Sequence, residues 1–246
     1  MMENAHRRTG DTVAIDGAYQ HHALHHGPAV QRFWHHSKLM AISRLLPPGE
    51  GDLVLDIGSG SGVISNHLAA SGASVLAIDG NESAIAFARK QYPSERIEFR
   101  LGLVDEYFQA ERPLDKAYCL ELIEHIHYPQ GLQLLGHIRD ALRPGGALFL
   151  TTPNYRSAWP VIEWVMDHSG RAPQLAGDQH VEFFNPGKLG EIMIEAGFEV
   201  QYLGTKCGLA PWVAPLSWGL AEKLQIRELK SRSRLGSVLV CVGKAR

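Results

Sequence analysis

The sequence predicts an α/β fold, a seven-stranded and mostly parallel sheet with helices on both faces and an antiparallel last strand. Three observations carry this. Short apolar runs alternate with amphipathic stretches from residue 53 onward, which is the rhythm of βαβ units. The first of these runs ends directly in a glycine-rich turn. The stretch before the last run lacks a clear crossover helix packed like the others, so strand seven is expected to enter antiparallel beside strand five.

The elements follow in order. Residues 1–28 are polar and are expected to be flexible or to form a helical lid. His21, His22, His25 and His26 repeat there at i, i+4, the spacing of metal ligands on a helix. An exposed polar face is the preferred reading, and no ligand role is assigned to them. A helical pattern from about residue 30 to Leu46 stops at Pro47-Pro48-Gly49, where proline and glycine cannot continue it. Strands are then expected at 53–57, 74–78, 96–100, 114–120, 147–152, 198–204 and 236–242, with helical patterns between the earlier ones.

Composition bounds the function. A chain of 246 residues with 45% apolar content can bury a full core, and a single domain over residues 1–246 is expected. With 24 basic against 26 acidic residues, no global field draws it to nucleic acid or anionic lipid, which favours a small-molecule substrate. Cys119, Cys207 and Cys241 form no Cys-x-x-Cys pair, so a reducing cytoplasm fits and no disulfide or zinc knuckle is expected. The N-terminus has no signal-peptide pattern and no apolar run is long enough to span a membrane, so a cytoplasmic protein is expected, with peripheral membrane contact left open.

The cofactor pocket is read from the first two strands. Leu53 to Ile57 runs into Gly58-Ser59-Gly60-Ser61-Gly62 and a helix begins near Val63. Glycines there let the backbone turn sharply and approach a ligand closely. A dinucleotide fingerprint starting at Gly58 would require a third glycine at position 63, where this chain has Val63. Strand two ends at Asp79, whose carboxylate can accept bonds from ribose hydroxyls. Capping the helix near Glu82 is the alternative role, and the neighbouring glycine turn favours binding.

Asp56 with Gly58, Gly60 and Gly62, together with Leu142-Arg143-Pro144-Gly145-Gly146 before strand five, resembles class I methyltransferases. The resemblance spans residues 38–205. It implies a Rossmann-like methyltransferase fold with S-adenosylmethionine as cofactor.

After strand four comes Glu121-Leu122-Ile123-Glu124-His125, at the carboxyl edge where α/β sheets bind ligands. The two acids can converge with the imidazole on a cation, or merely complement a helix N-terminus. The stretch is similar to the Glu-x-x-Glu-His element of the ubiquinone-biosynthesis O-methyltransferases and of small-RNA 2'-O-methyltransferases. That resemblance implies a divalent cation held by Glu121, Glu124, His125 and, from Gly177-Asp178-Gln179-His180, His180. Magnesium is expected first and manganese second. It also implies that Lys38, or alternatively Arg32, meets the methionine carboxylate, and that Leu120 touches the cofactor. Gln31 to His36 depart from the family's own stretch, which leaves the substrate open.

Residues 153–186 form a long connection, expected to carry acceptor specificity. Its Trp159, Val161, Ile162, Trp164, Val165 and Met166 suit a packing helix over the site, an apolar pocket or a lipid surface. Lys223, Arg227, Lys230, Arg232 and Arg234 are read as a solvated face rather than an RNA surface. The expected function is S-adenosylmethionine-dependent O-methylation of a small phenolic, catecholic or sugar-like hydroxyl, assisted by a divalent cation. Metal-independent C- or N-methylation, RNA 2'-O-methylation and a non-catalytic binding module are the alternatives.

Overall fold

The computed structural model describes residues 16–162, 164 and 180–246. The seven predicted strands are β1 (Leu53–Ile57), β2 (Ser74–Asp79), β3 (Ile97–Leu101), β4 (Leu114–Leu120), β5 (Leu142–Pro153), β6 (Phe198–Lys206) and β7 (Val238–Ala245). They form one sheet in the order β3-β2-β1-β4-β5-β7-β6. Strands β1 to β5 pair in parallel. Strand β7 lies between β5 and β6, antiparallel to both, as expected for the last strand. The chain steps outward from β1 to β3 and returns to β4 on the other side of β1. Loops leaving β1 and β4 therefore diverge, which opens a crevice at their carboxyl ends.

Helices α1 (Tyr19–His25), α2 (Ala29–Leu45), α3 (Val63–Ala69), α4 (Glu82–Gln91), α5 (Tyr128–Ala141), α6 (Pro186–Glu195), α7 (Ala210–Val213) and α8 (Trp218–Ser231) surround the sheet. Alternate strand residues enter different cores. Leu55, Cys119, Leu148 and Leu150 pack with Leu135 and Ile138 of α5 and Ile192 of α6. Val54, Tyr118 and Phe149 pack with Ile42 of α2, Leu68 of α3 and Ile85 of α4. With both faces covered, the strands read as nearly continuous apolar runs.

Three features differ from the sequence reading. The connection from β6 to β7 does contain a helix, α8, of 14 residues. Its fully buried residues are Ala221, Gln225 and Leu229, with Trp218 and Leu224 packed partly buried against Phe33 and Ala214. The Pro144-Gly145-Gly146 turn is absorbed into β5 as a bulge, where pairing jumps from Leu114↔Leu142 to Lys116↔Ala147. Glu124, one of the two acids read as possible complements of a helix N-terminus, lies with His125 in a 3-10 turn (Ile123–His125), and α5 begins only at Tyr128.

The described part of the N-terminal segment covers the glycine turn. His21 Nδ1 meets the Tyr92 hydroxyl at 2.7 Å, and an added Cβ at Gly60 would lie 2.6 Å from Gln20 Oε1. His22, His25 and His26 are exposed, consistent with a polar face. Residues 1–15, Val165, Met166 and Gly177 to Gln179 lie outside the described residues.

Candidate active site

The glycine turn is built by the ends of β1 and β2. Ile78 carbonyl accepts from the backbone N–H groups of Gly58 and Ser59, at 2.9 and 3.1 Å. Gly62 caps α3 with φ 80°, in the left-handed region, and a Cβ there would lie 2.9 Å from Ala88 Cβ and 3.0 Å from the Phe99 ring. Only glycine satisfies both constraints. Asp79 accepts from Gly60 N and from Asn81 N, each at 2.7 Å. The cap of α4 is Asn81, whose side chain accepts from Ser83 N and Ala84 N, so Asp79 is not that cap.

Beside the turn is a cavity lined by Gln20, His35, Lys38, Asp56, Gly58 and Leu120. It gathers Lys38, Asp56, Gly58 and Leu120, four of the residues predicted for cofactor binding, whereas Arg32 turns away and stacks 5.6 Å over Trp218. Burial pushes the Asp56 carboxyl up to about 7, against a 2.6 Å bond from the Ser65 hydroxyl. Burial likewise pulls His35 down to about 3, with Lys38 adding to the effect. His35 is therefore a neutral wall of the cavity.

The loop after β4 holds the acids. Glu124, His125 and His180 each bring one ligand atom to within 4.8 Å of the others, the only such trio among the described residues. Two backbone bonds make this possible, because Val181 N and Glu182 N both donate to the Glu124 carbonyl, at 2.9 and 3.0 Å. They clip the segment after β5 onto the 3-10 turn. Thr152 Oγ1 donates to Glu124 Oε2 at 2.9 Å, and His180 Nδ1 meets the Tyr155 hydroxyl at 2.9 Å. Burial, and then Glu121, push Glu124 up to about 7.

Glu121 does not join this group. Its backbone has φ 53°, and its Oε2 pairs with Lys38 Nζ at 2.7 Å, while Lys206 Nζ lies 4.0 Å from Oε1. Burial alone would raise its carboxyl, but Lys38 and Lys206 outweigh that and hold it at about 2. Nor do Glu121 and Glu124 complement the N-terminus of α5. Glu182 does so, accepting from Tyr128 N at 2.8 Å.

Sequence reasoning missed Thr152, Tyr155, Glu182, His35 and Lys206. Lys206 ends β6 at the ligand-binding edge, so its place at a strand terminus was a usable signal. The other four act through fold-specific contacts that no motif marks.

A family profile described as "Methyltransferase domain" matches residues 30–203. The chain is 31% identical over 160 residues to a ubiquinone biosynthesis O-methyltransferase of Nitrosospira multiformis, covering 61% of this chain and 64% of that protein's length. It is 30% identical over 183 residues to the protein of that name in Rickettsia felis, 70% of each chain. A Thermotoga maritima protein described as a possible histamine N-methyltransferase superposes with a TM-score of 0.64 at 19% identity, over 88% of this chain and 91% of that one. At that identity the superposition shows the fold alone. The profile match, on a fold whose glycine turn, cavity and acidic edge are in place, means that this chain belongs to the methyltransferase-domain family.

Proposed function

We propose that this chain transfers a methyl group from S-adenosylmethionine to a hydroxyl of a small phenolic, catecholic or sugar-like acceptor, with a divalent cation beside the acceptor. The observation that carries this is the placement of Glu124, His125 and His180 within 4.8 Å of one another at the carboxyl end of β4, next to the loop that leads on from the Leu120 wall of the cavity.

The residues fit a cation. Glu124 is 1% exposed, and a buried carboxylate facing two imidazoles is stabilised by a positive ion. One oxygen and two nitrogen donors suit manganese, iron or zinc better than magnesium, which the sequence put first. Glu124, His125 and His180 would hold the ion. When bound, it lowers the pKa of a chelating acceptor hydroxyl and fixes its oxygen for in-line attack on the sulfonium methyl.

The chain's own groups do the rest. Asp79 and the glycine turn seat the nucleoside end. Lys38 offers an ammonium to the methionine carboxylate. Thr152 and Tyr155 hold Glu124 and His180 in place, and in the metal-independent alternative a neutral imidazole of His125 or His180 takes the hydroxyl proton instead. Among the described residues no helix is long and apolar enough to cross a membrane. A cytoplasmic protein with peripheral membrane contact is the accompanying reading, supported by exposed Val161 and Trp164 in the acceptor-side connection.

Calorimetry with S-adenosylhomocysteine, followed by a methyl-transfer assay on a catechol panel with and without manganese, tests the proposal. Binding, and turnover that is lost with EDTA and in Glu124→Gln, is the expected result. Failure to bind the nucleoside removes the cofactor reading. Turnover surviving both EDTA and Glu124→Gln removes the cation and leaves metal-independent transfer.

A further inference from the structure

Lys206 is fully buried at the end of β6, and the reaction as described does not use it. Its ammonium has thin company. Ser37 Oγ lies at 3.2 Å, Cys207 Sγ at 3.7 Å and the Trp34 ring centroid at 5.8 Å. The nearest carboxylate oxygen, Glu121 Oε1, is 4.0 Å away, beyond a normal hydrogen bond. That oxygen is itself buried without a hydrogen-bond partner. Glu121 is instead bonded through Oε2 to Lys38. Two buried ammonium groups therefore share the one carboxylate that lies within 4.0 Å of both among the described residues, Glu228 acting on Lys206 only from farther off, and the adjacent imidazole, His35, adds no charge. A buried cation without a matched anion is costly.

An incoming carboxylate changes the count. Lys38 lines the cavity and is only 6% exposed, so a ligand carboxylate that reaches it competes with Glu121 for the charge of a single ammonium. Lys206 is placed to receive what Lys38 gives up. We propose that Lys206 is a positioning residue for cofactor binding: it takes over Glu121 when the amino-acid carboxylate of the cofactor claims Lys38. The result is two matched pairs, Lys38 with the ligand and Lys206 with Glu121, in place of one pair and a surplus cation. The proposal rests on the cofactor reading above. It concerns the amino-acid end of the ligand alone, since Asp79 and the glycine turn serve the nucleoside end.

That separation supplies the test. Calorimetry compares S-adenosylhomocysteine, which carries the carboxylate, with methylthioadenosine, which lacks the whole amino-acid portion. In Lys206→Met, the affinity for S-adenosylhomocysteine should fall about tenfold or more, while that for methylthioadenosine stays within about twofold. Lys206→Arg should restore most of the loss. In a Glu121→Gln background there is no charge to hand over, and the effect of Lys206→Met should shrink to below about threefold, the coupling a double-mutant cycle reads. A Lys206→Met change that weakens both ligands equally, or neither, overturns the proposal and leaves the cofactor reading standing. If wild type binds neither ligand, the cofactor reading itself fails. Should Lys206→Met not fold, the cycle is run with Lys206→Gln and Glu121→Gln, and absence of any coupling between them overturns the proposal.

Discussion

Gly62 and Gly51 allow backbone strain to be separated from packing, because both have φ 80° but only one is crowded. A Cβ at Gly51 would meet nothing within 4 Å, whereas at Gly62 it would press on Ala88 Cβ at 2.9 Å and on the Phe99 ring at 3.0 Å. Placing an L side chain in the left-handed region costs about 1–2 kcal/mol. Gly51→Ala should cost that and little more. Gly62→Ala should add an overpacking cost of about 1–3 kcal/mol, since Ala88 and Phe99 are buried at 0% and 6% exposure and have nowhere to move. Urea denaturation of both variants, compared at equal m-values, reads the difference. Gly62→Ala should also weaken S-adenosylhomocysteine binding, because Gly62 caps α3 directly after the turn, while Gly51→Ala should leave binding unchanged. A Gly62→Ala variant no less stable than Gly51→Ala would refute the account of why glycine is required there.

Other outcomes follow from the same contacts. Gly136 lies inside α5 with nothing within 4 Å of an added Cβ, so Gly136→Ala should stabilise the fold by about 0.5–1 kcal/mol, seen as a higher urea midpoint. Asp56 is raised in the fold from its ordinary 3.8 to about 7. Its contribution to stability is thus fully present below about pH 4 and is lost as pH rises through 7. Asp56→Asn, which stays neutral, should therefore gain stability relative to wild type between pH 5 and pH 8, and a flat difference would count against the burial argument. Removing the groups that orient the proposed cation ligands, by Thr152→Val or Tyr155→Phe, should each weaken manganese binding by about 10- to 100-fold in calorimetry.

The sheet was legible because a buried parallel strand has a local signature. Val54 and Leu55 enter opposite cores, so both must be apolar, and the run announces itself without reference to its neighbours. The glycine turn was legible for a similar reason, as its constraints lie within five residues. Helix α8 was not. It packs through Ala221, Gln225 and Leu229, a face whose burial depends on what β6 and α2 present to it. Thr152, Tyr155 and Glu182 were hidden for the same reason. Each matters through a partner between 25 and 54 positions away, and no local pattern records such a pairing.

Glu121 shows where motif reasoning and geometry part. Residues 121 and 124 are three apart, which on a regular helix would place both carboxylates on one face. The chain is not helical there. Glu121 sits at φ 53° with its N–H bonded to Thr151 carbonyl at 2.9 Å, so β4 ends in a sharp turn before the 3-10 segment begins. That turn sends Glu121 toward α2 and Lys38, and leaves Glu124 facing His180. A left-handed non-glycine residue beside a proposed binding site is strain that the surroundings must hold in place, and the Lys38 ion pair is the contact that holds it. If ligand binding draws Lys38 away, that restraint weakens at the residue that separates the cofactor cavity from the acidic trio. On the proposal above, Glu121 is where a change at the cofactor cavity reaches the loop that carries Glu124, and Lys206, 4.0 Å from its Oε1, is the cation placed to receive it.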